Sequence, residues 1–596
     1  MSAAEQTSVN ASTLSPVARA AHAAGALLRR DWTVIVLLAL GTAVMTYPVT
    51  FKLNQGVIGS GPDAYQALWQ DWWLRKALVE GHSLTYTTYL FYPRGADATF
   101  NAQHWATLPI WWPLSVAVGD VAAGNLTYLI GLVMSGYFAY LLGLYLTHNR
   151  AAAWLGGVVF AFFPYHASEL GRAMSHMEWL PLFMLAFVHS LRTRKAVHIL
   201  LAALALSLST LAHPRLVIFA VLSGAVYGLY YLLSTGQWRS GRMWAALALF
   251  VVLAIAFNLP PMLPYLRLSG EQMDQALEKG STAIDERIDV IAYVCPPPYN
   301  RLLFPLLQRV VGRLRTPIHL EKCRYLYLGM IPLALVIAGL VLGRPRNWFP
   351  WALMVALFMM LALGPTLYIN GKAFPDVWMP YRTLRSIPVF EVMRHPERFA
   401  MGLALPWAML AGYGVVNALT RLRPAGRVRL TLMLVVTGLT LVEYWIGPMP
   451  TQPTQVSPYY YQLANEPGDF AIVELPMGRV PSKGYMFNQT IHGKPIVEGM
   501  MSRPIGDPYA YIEGNPVLAA WQEVGPLPCD PDKYEEAFDV LLDDGFRYVI
   551  VHWQDQEAEP LKPYFQAEPA YQDSELAAYR LEDLKAASLP ASVSCR

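Results

Sequence analysis

Over the first 450 residues, apolar side chains gather in long unbroken stretches and polar ones are confined to the gaps. The stretches fall at 33–50, 122–146, 152–164, 177–191, 197–212, 216–233, 243–262, 326–343, 348–368, 399–419 and 430–447. Runs approaching the length that crosses a bilayer predict a polytopic α-helical membrane protein with about 11 transmembrane helices. Several are short for a crossing, so tilt or flanking residues must help. The run 106–120 is awkward, because counting it as a span would invert every later loop. Either it or 152–164 lies along the interface, and Trp111-Trp112-Pro113 favours 106–120. After residue 450 the pattern changes. Short β-like runs at 470–476 and 546–553 alternate with a helical pattern over 532–545, which predicts a soluble α/β domain over 451–596.

Charge placement orients these elements. Four short loops carry Lys and Arg with no acid: 192–195, 239–242, 344–346 and 421–429. The positive-inside rule puts them in the cytoplasm, together with the N-terminus and its Arg29-Arg30 pair. Residues 1–32 then form a cytoplasmic tail with a short amphipathic end, and not a cleaved signal peptide. Residues 33–450 form the membrane domain, with outer loops at 51–121, 263–325 and 369–398. Parity places the C-terminal domain on the outer side as well. The chain is 55% hydrophobic and 15% charged with a net charge of +3, and nothing in it points to nucleic acid. Cys295 and Cys323 share one outer loop, as a disulfide or as two thiols, and no cysteine–histidine spacing suggests zinc. The second half does not repeat the first, which argues against an inverted-repeat transporter.

Candidate chemistry collects on the outer face. Asp63 follows a Gly-Pro turn just past the first span, where it is either a general base at the membrane surface or the N-cap of the helix beginning YQALWQDWW. The same loop ends in FYPRGADATFNAQHW, which supplies His104 as a candidate contact. Tyr165, His166, Glu169, Arg172, His176 and Glu178 crowd one short outer loop, as a polar site or as interfacial solvation. Arg394 and Arg398 flank the start of a span at a spacing that lets both face one anion, with pairing to Glu391 or Glu397 as the alternative. Glu321 and its neighbours precede the span at 326–343.

Several of these segments, taken in order, resemble the integral-membrane glycosyltransferases of the GT-C fold, and a bacterial branch of them in particular. They are GPDAYQALWQDWWLRKAL, FYPRGADATFN, AFFPYHASELGRAMSHMEWLPL, EKCRYLYLGMIPL, LALGPTLYINGK, MRHPERFAMGLALPWAMLAGYG and, in the outer domain, YYYQLANEPGDFAIVELP and IHGKPIVEGMMSR. The resemblance implies a polyprenyl-phosphate sugar donor and inversion at the anomeric carbon. It also implies an acid in the first outer loop that serves as base or orients the acceptor, which by position is Asp63. Many members carry two adjacent acids there, whereas Asp63 is followed by Ala64 and Tyr65, and the next acid is Asp71, two helical turns on. That departure favours a reaction without a divalent metal over one built on a carboxylate cluster. Arg394, Arg398 and Arg172 are the expected cations for the leaving phosphate. Tyr165, His176, Glu178, Glu321, Asp71 and His104 are the expected substrate contacts. The implied partners are the lipid-linked donor, the bilayer, and an extracytoplasmic glycan, lipid or protein acceptor. A transporter or flippase, or a non-catalytic envelope assembly protein, are the alternatives. Spans nearly free of charge favour one-sided chemistry over alternating access.

Overall fold

In a computed structural model, the described residues are 16–101, 104–273, 287–298, 300, 303–305, 323–343, 347–387, 393, 395–528 and 530–587. Glu321 and Arg394 lie outside them, as does the side chain of Cys323.

Every long apolar run is helical. The helices are α1 (Pro16–Met45), α2 (Asp63–Glu80), α3 (Leu108–Val118), α4 (Asp120–Thr147), α5 (Arg150–Ala161), α6 (Pro164–Ser168), α7 (Trp179–Thr193), α8 (Ala196–Ala212), α9 (Leu216–Thr235), α10 (Gly241–Leu266), α11 (Met330–Leu342), α12 (Phe349–Ala362), α13 (Phe399–Leu422) and α14 (Gly426–Tyr444). Among the described residues, Asp120–Thr147, Leu216–Thr235, Gly241–Leu266 and Pro396–Leu422 are long and apolar enough to cross a membrane. Leu108–Val118, Ala196–Ala212, Met330–Leu342 and Phe349–Ala362 are shorter apolar helices. With 11 residues, α3 reaches only about 16 Å, half a bilayer core. The 12 residues of α5 reach about 18 Å.

The most apolar stretch of α13 is 94% buried and that of α10 has no fully buried residue, so α13 is the centre of the bundle and α10 its rim. Close packing around α13 depends on glycine. A Cβ on Gly414 would lie 2.2 Å from the Leu335 carbonyl of α11, and one on Gly412 would lie 3.0 Å from the Ala152 carbonyl of α5. Two predicted spans are shorter than their apolar runs. The run 326–343 is broken at 327–329, between the short helix Cys323–Leu326 and α11, where Gly329 adopts φ +86° and the Glu443 carboxylate accepts from the Met330 and Ile331 amides. The run 348–368 stops at Ala362, and its end enters a hairpin of β4 (Leu367–Ile369) and β5 (Lys372–Phe374).

The C-terminal region builds a four-stranded mixed sheet. β7 (Ala471–Leu475) pairs in parallel with β8 (Phe546–Val551), and β10 (Ala577–Arg580) lies antiparallel between β8 and β9 (Tyr571–Gln572). Its helices include α15 (Tyr459–Asn465), α16 (Pro481–His492), α17 (Pro516–Glu523) and α18 (Pro531–Asp543). The region is fastened to the first loop by two short strands, β1 (Gly56–Ile58) and β6 (Thr451–Pro453), paired antiparallel.

Helix α2 joins the two halves. One stripe faces the C-terminal region: Gln66 donates to the Met500 carbonyl, the Trp69 indole donates to Gln489 at 2.6 Å, and Tyr65 stacks on Phe487. Another faces the bundle. There Leu68 meets Gly124 of α4, and Arg75 forms a two-pronged pair with Asp120 at 2.7 and 2.8 Å. This double attachment fixes the orientation of everything α2 carries.

Candidate active site at the head of α2

Asp63 is the first residue of α2, and Pro62, not Asp63, holds the N-cap position. The capping alternative is therefore replaced by a different use of the carboxylate. Lys483 of α16 donates to Oδ1 at 2.5 Å, and the Arg172 guanidinium lies 3.2 Å from Oδ2. Arg172 also contacts Glu169 at 3.4 Å. Burial pushes the Asp63 carboxyl up, but Lys483 and Arg172 outweigh it and hold the group below the usual carboxylate range. Burial likewise lowers Arg172, and Glu169 and Asp63 more than restore its charge.

Backbone shape brings these charges together. Gly59 (φ +128°) and Gly171 (φ +84°) touch, and a Cβ on Gly171 would lie 2.1 Å from the Ile58 carbonyl oxygen. Only glycine permits that contact between the loop before Asp63 and the loop carrying Arg172. Asn125 of α4 fixes the first loop from below. It accepts from the Ile58 amide at 2.8 Å and donates to the Leu53 and Gly56 carbonyls at 2.8 and 2.7 Å.

Asp71 does not join Asp63. Its side chain is buried, 3.0 Å from His104 Nδ1, while the Asp63 side chain is 40% exposed. Behind the Asp63 cluster, the His176 ring stacks on Tyr128 with centroids 5.0 Å apart, stands 6.1 Å from His104, and pairs with Glu178 at 3.3 Å. All four are buried, and Gly131 of α4 leaves space for His176 and Glu178. His104 Nε2, Tyr128 Oη and Glu178 Oε2 have no hydrogen-bond partner among the described residues. Unsatisfied polar atoms at such depth are the ones a polar ligand or ordered water would satisfy. Tyr128 lies within electrostatic reach of both Asp71 and Arg172, so the buried group adjoins the surface one.

Tyr165 is buried against Tyr325 at 5.0 Å, within electrostatic reach of Glu169, Glu397 and Arg398. Arg398 ends the short turn Pro396–Arg398 that leads into α13, and His395 lies 3.3 Å from Glu397 on the same turn. Glu321 and Arg394 fall outside the described residues, so the expected arginine pair is represented by Arg398 alone. A cavity of about 460 Å³ opens beside the Asp63 loop, lined by Gly59, Ser60, Ser168, Leu170 and Pro448 among others. A second, of about 320 Å³, lies beside Asn101, Trp105 and Tyr265. Among the described residues no group of three or more His, Cys, Asp and Glu side chains is arranged to hold a metal ion.

The residue missed from sequence is Lys483. It stands alone on an amphipathic helix 420 positions from its partner, and no local pattern marks it.

Comparison with known proteins adds the following. A family model described as a domain of unknown function, DUF6311, matches residues 72–442. No curated protein matches by sequence. Among solved structures, the arabinofuranosyltransferase AftD from mycobacteria is similar at 14% identity and a TM-score of 0.51. The similarity covers 92% of this chain and 41% of that one. The oligosaccharyltransferase AglB from Archaeoglobus fulgidus, solved with an inhibitory peptide and a dolichol-phosphate, aligns at 12% identity and a TM-score of 0.43, over 88% of this chain and 70% of that one. ArnT from Cupriavidus metallidurans, bound to undecaprenyl phosphate, aligns at 10% identity and 0.42, over 93% and 98%. The AftD match shows a shared fold.

Proposed function

The chain belongs to the DUF6311 family, a domain of unknown function, and on that footing we propose that it is an inverting glycosyltransferase. It moves a sugar from a polyprenyl-phosphate donor to an acceptor hydroxyl at the outer face of the cytoplasmic membrane. The observation that carries this reading is the Asp63 carboxylate held between Lys483 and Arg172 at the head of α2. Displacement of a lipid phosphate requires a base for the acceptor and positive charge for the leaving group, and this cluster contains both. The fold adds a prior by analogy only.

The acceptor oxygen attacks the anomeric carbon and forms the new glycosidic bond. The bond from that carbon to the phosphate oxygen breaks, and its electron pair leaves with the polyprenyl phosphate. The acceptor proton passes to Asp63. Lys483 and Arg172 neutralise the departing phosphate, with Arg398 and Arg394 as further contacts. A carboxylate clamped by two cations is a poor base. Donor phosphate arriving beside it draws the cations away and raises its basicity, so donor binding and base activation are one event. His176, Glu178, His104, Asp71 and Tyr165 form the polar wall behind the site. The cavity of about 460 Å³ beside the loop lies within the usual range for ligand pockets, roughly 300–1,000 Å³.

Purified protein incubated with radiolabelled polyprenyl-phosphate sugars and envelope acceptors tests the reading. Asp63→Asn is expected to lower transfer by about a hundredfold or more. Undiminished transfer by that variant removes Asp63 from the chemistry. Absence of transfer from every donor replaces the enzyme with an envelope assembly protein.

A further inference from the structure

An open groove of about 600 Å³ runs along the bundle between α1, α5 and α14. Its walls are two apolar stripes at helical spacing, Leu37, Leu40 and Val44 on one side and Leu430, Leu434 and Leu441 on the other. Wall residues such as Leu40 and Leu434 are 58% and 64% exposed, so no described residue fills the groove.

Charge gathers at one end. Arg150 and Arg429 both line the groove. Arg150 pairs with the buried Asp31 at 3.2 Å, and Arg30 takes the same carboxylate at 2.6 Å. Among the described residues, Arg429 contacts the Asn149 amide oxygen alone, at 3.4 Å. Two arginines share the Asp31 carboxylate and Arg429 adds a third positive charge, which leaves a positive surplus at the mouth. Tyr140 also lines the groove, and its buried hydroxyl has no hydrogen-bond partner among the described residues. Two guanidinium groups and a spare hydroxyl donor at the end of an apolar trough form a receptor for an anion that carries a hydrocarbon tail.

We infer that this groove binds an anionic glycerophospholipid of the surrounding bilayer, its phosphate on Arg150, Arg429 and the Tyr140 hydroxyl and an acyl chain along the leucines. A free phosphate would leave the apolar walls in water. A neutral lipid would leave the surplus charge unanswered. Trp154, whose indole donates to Thr437 at 3.0 Å, ties the two helices that form the floor and one wall.

The test compares lipid retention by the whole protein in nanodiscs of phosphatidylglycerol and phosphatidylcholine, read by native mass spectrometry. Wild type is expected to retain phosphatidylglycerol preferentially and to unfold at a higher temperature in its presence. The Arg150→Gln, Arg429→Gln double variant is expected to lose about tenfold in that preference while phosphatidylcholine binding stays unchanged. Should the double variant fail to fold, Tyr140→Phe and a groove-filling Leu434→Trp supply the same readout, each with a reduced preference. Equal retention of the two lipids by wild type overturns the proposal. So does an unchanged preference in the variants that fold, protection by inorganic phosphate alone, or a cross-linked second copy of the chain occupying the groove.

Discussion

The Asp63 carboxylate has two cationic partners of unequal kind. Lys483 is a compact charge at 2.5 Å, whereas Arg172 is shared with Glu169. Removing Lys483 therefore relieves most of the restraint on the acid. In Lys483→Met the acid limb of a pH–activity profile should move to higher pH, with kcat/KM measured between about pH 4 and 8 as the check. A profile that falls uniformly with its limb unmoved would assign Lys483 a purely structural role. The same pairing sets a stability window. Because Asp63 is held below its ordinary value of 3.8, its contribution is fully present above that pH and is lost as pH falls through the lowered folded value. Thermal melts of wild type and Asp63→Asn should accordingly differ at neutral pH and converge in acid. The acid itself was legible in the sequence, since a Gly-Pro turn after an apolar run puts the next residue at a helix start. Its partner was not, since a single lysine carries no periodic signal. The Asp71–His104 contact was hidden for the same reason: the side chains meet only after α2 packs on the bundle.

Two glycines and one asparagine do the positioning among the elements. At Gly171 any side chain meets the Ile58 carbonyl, whereas Gly61 has a similar φ of +81° and nothing within 4 Å. Gly61→Ala should cost only the backbone strain, about 1–3 kcal/mol. Gly171→Ala should cost more and also separate Arg172 from Asp63, so paired melting curves and transfer assays should rank the two clearly. Asn125→Leu leaves one amide and two carbonyls of the first loop without partners, for an expected loss of roughly 2–5 kcal/mol by denaturant titration. The helices themselves were readable because continuous apolar runs favour helix in lipid whatever their tertiary neighbours. Their ends were less so. Hydrophobicity alone cannot report that Glu443 caps α11 from another helix, or that the run through Leu367 turns into a hairpin.

For the whole molecule, the decisive contact is between the first loop and the C-terminal region, made by the β1–β6 ladder and the Lys483–Asp63 pair. Val57 faces Gln452 directly in that ladder. Cysteines at both positions should cross-link on mild oxidation and retain transfer, with the bond scored on gels and activity measured before and after reduction. Activity that returns only on reduction would mean that the region must lift during turnover. The helical class and the mixed-sheet C-terminal region followed from the change in periodicity near residue 450, but their mutual docking did not, because it rests on contacts across nearly the whole chain. Asp63 leaves the ribosome 420 residues before Lys483 does. Until Lys483 is made, the carboxylate lacks that cation and β1 lacks its strand partner. A nascent chain stalled anywhere in the bundle thus cannot hold the assembled cluster, and translation itself times when the site comes into being.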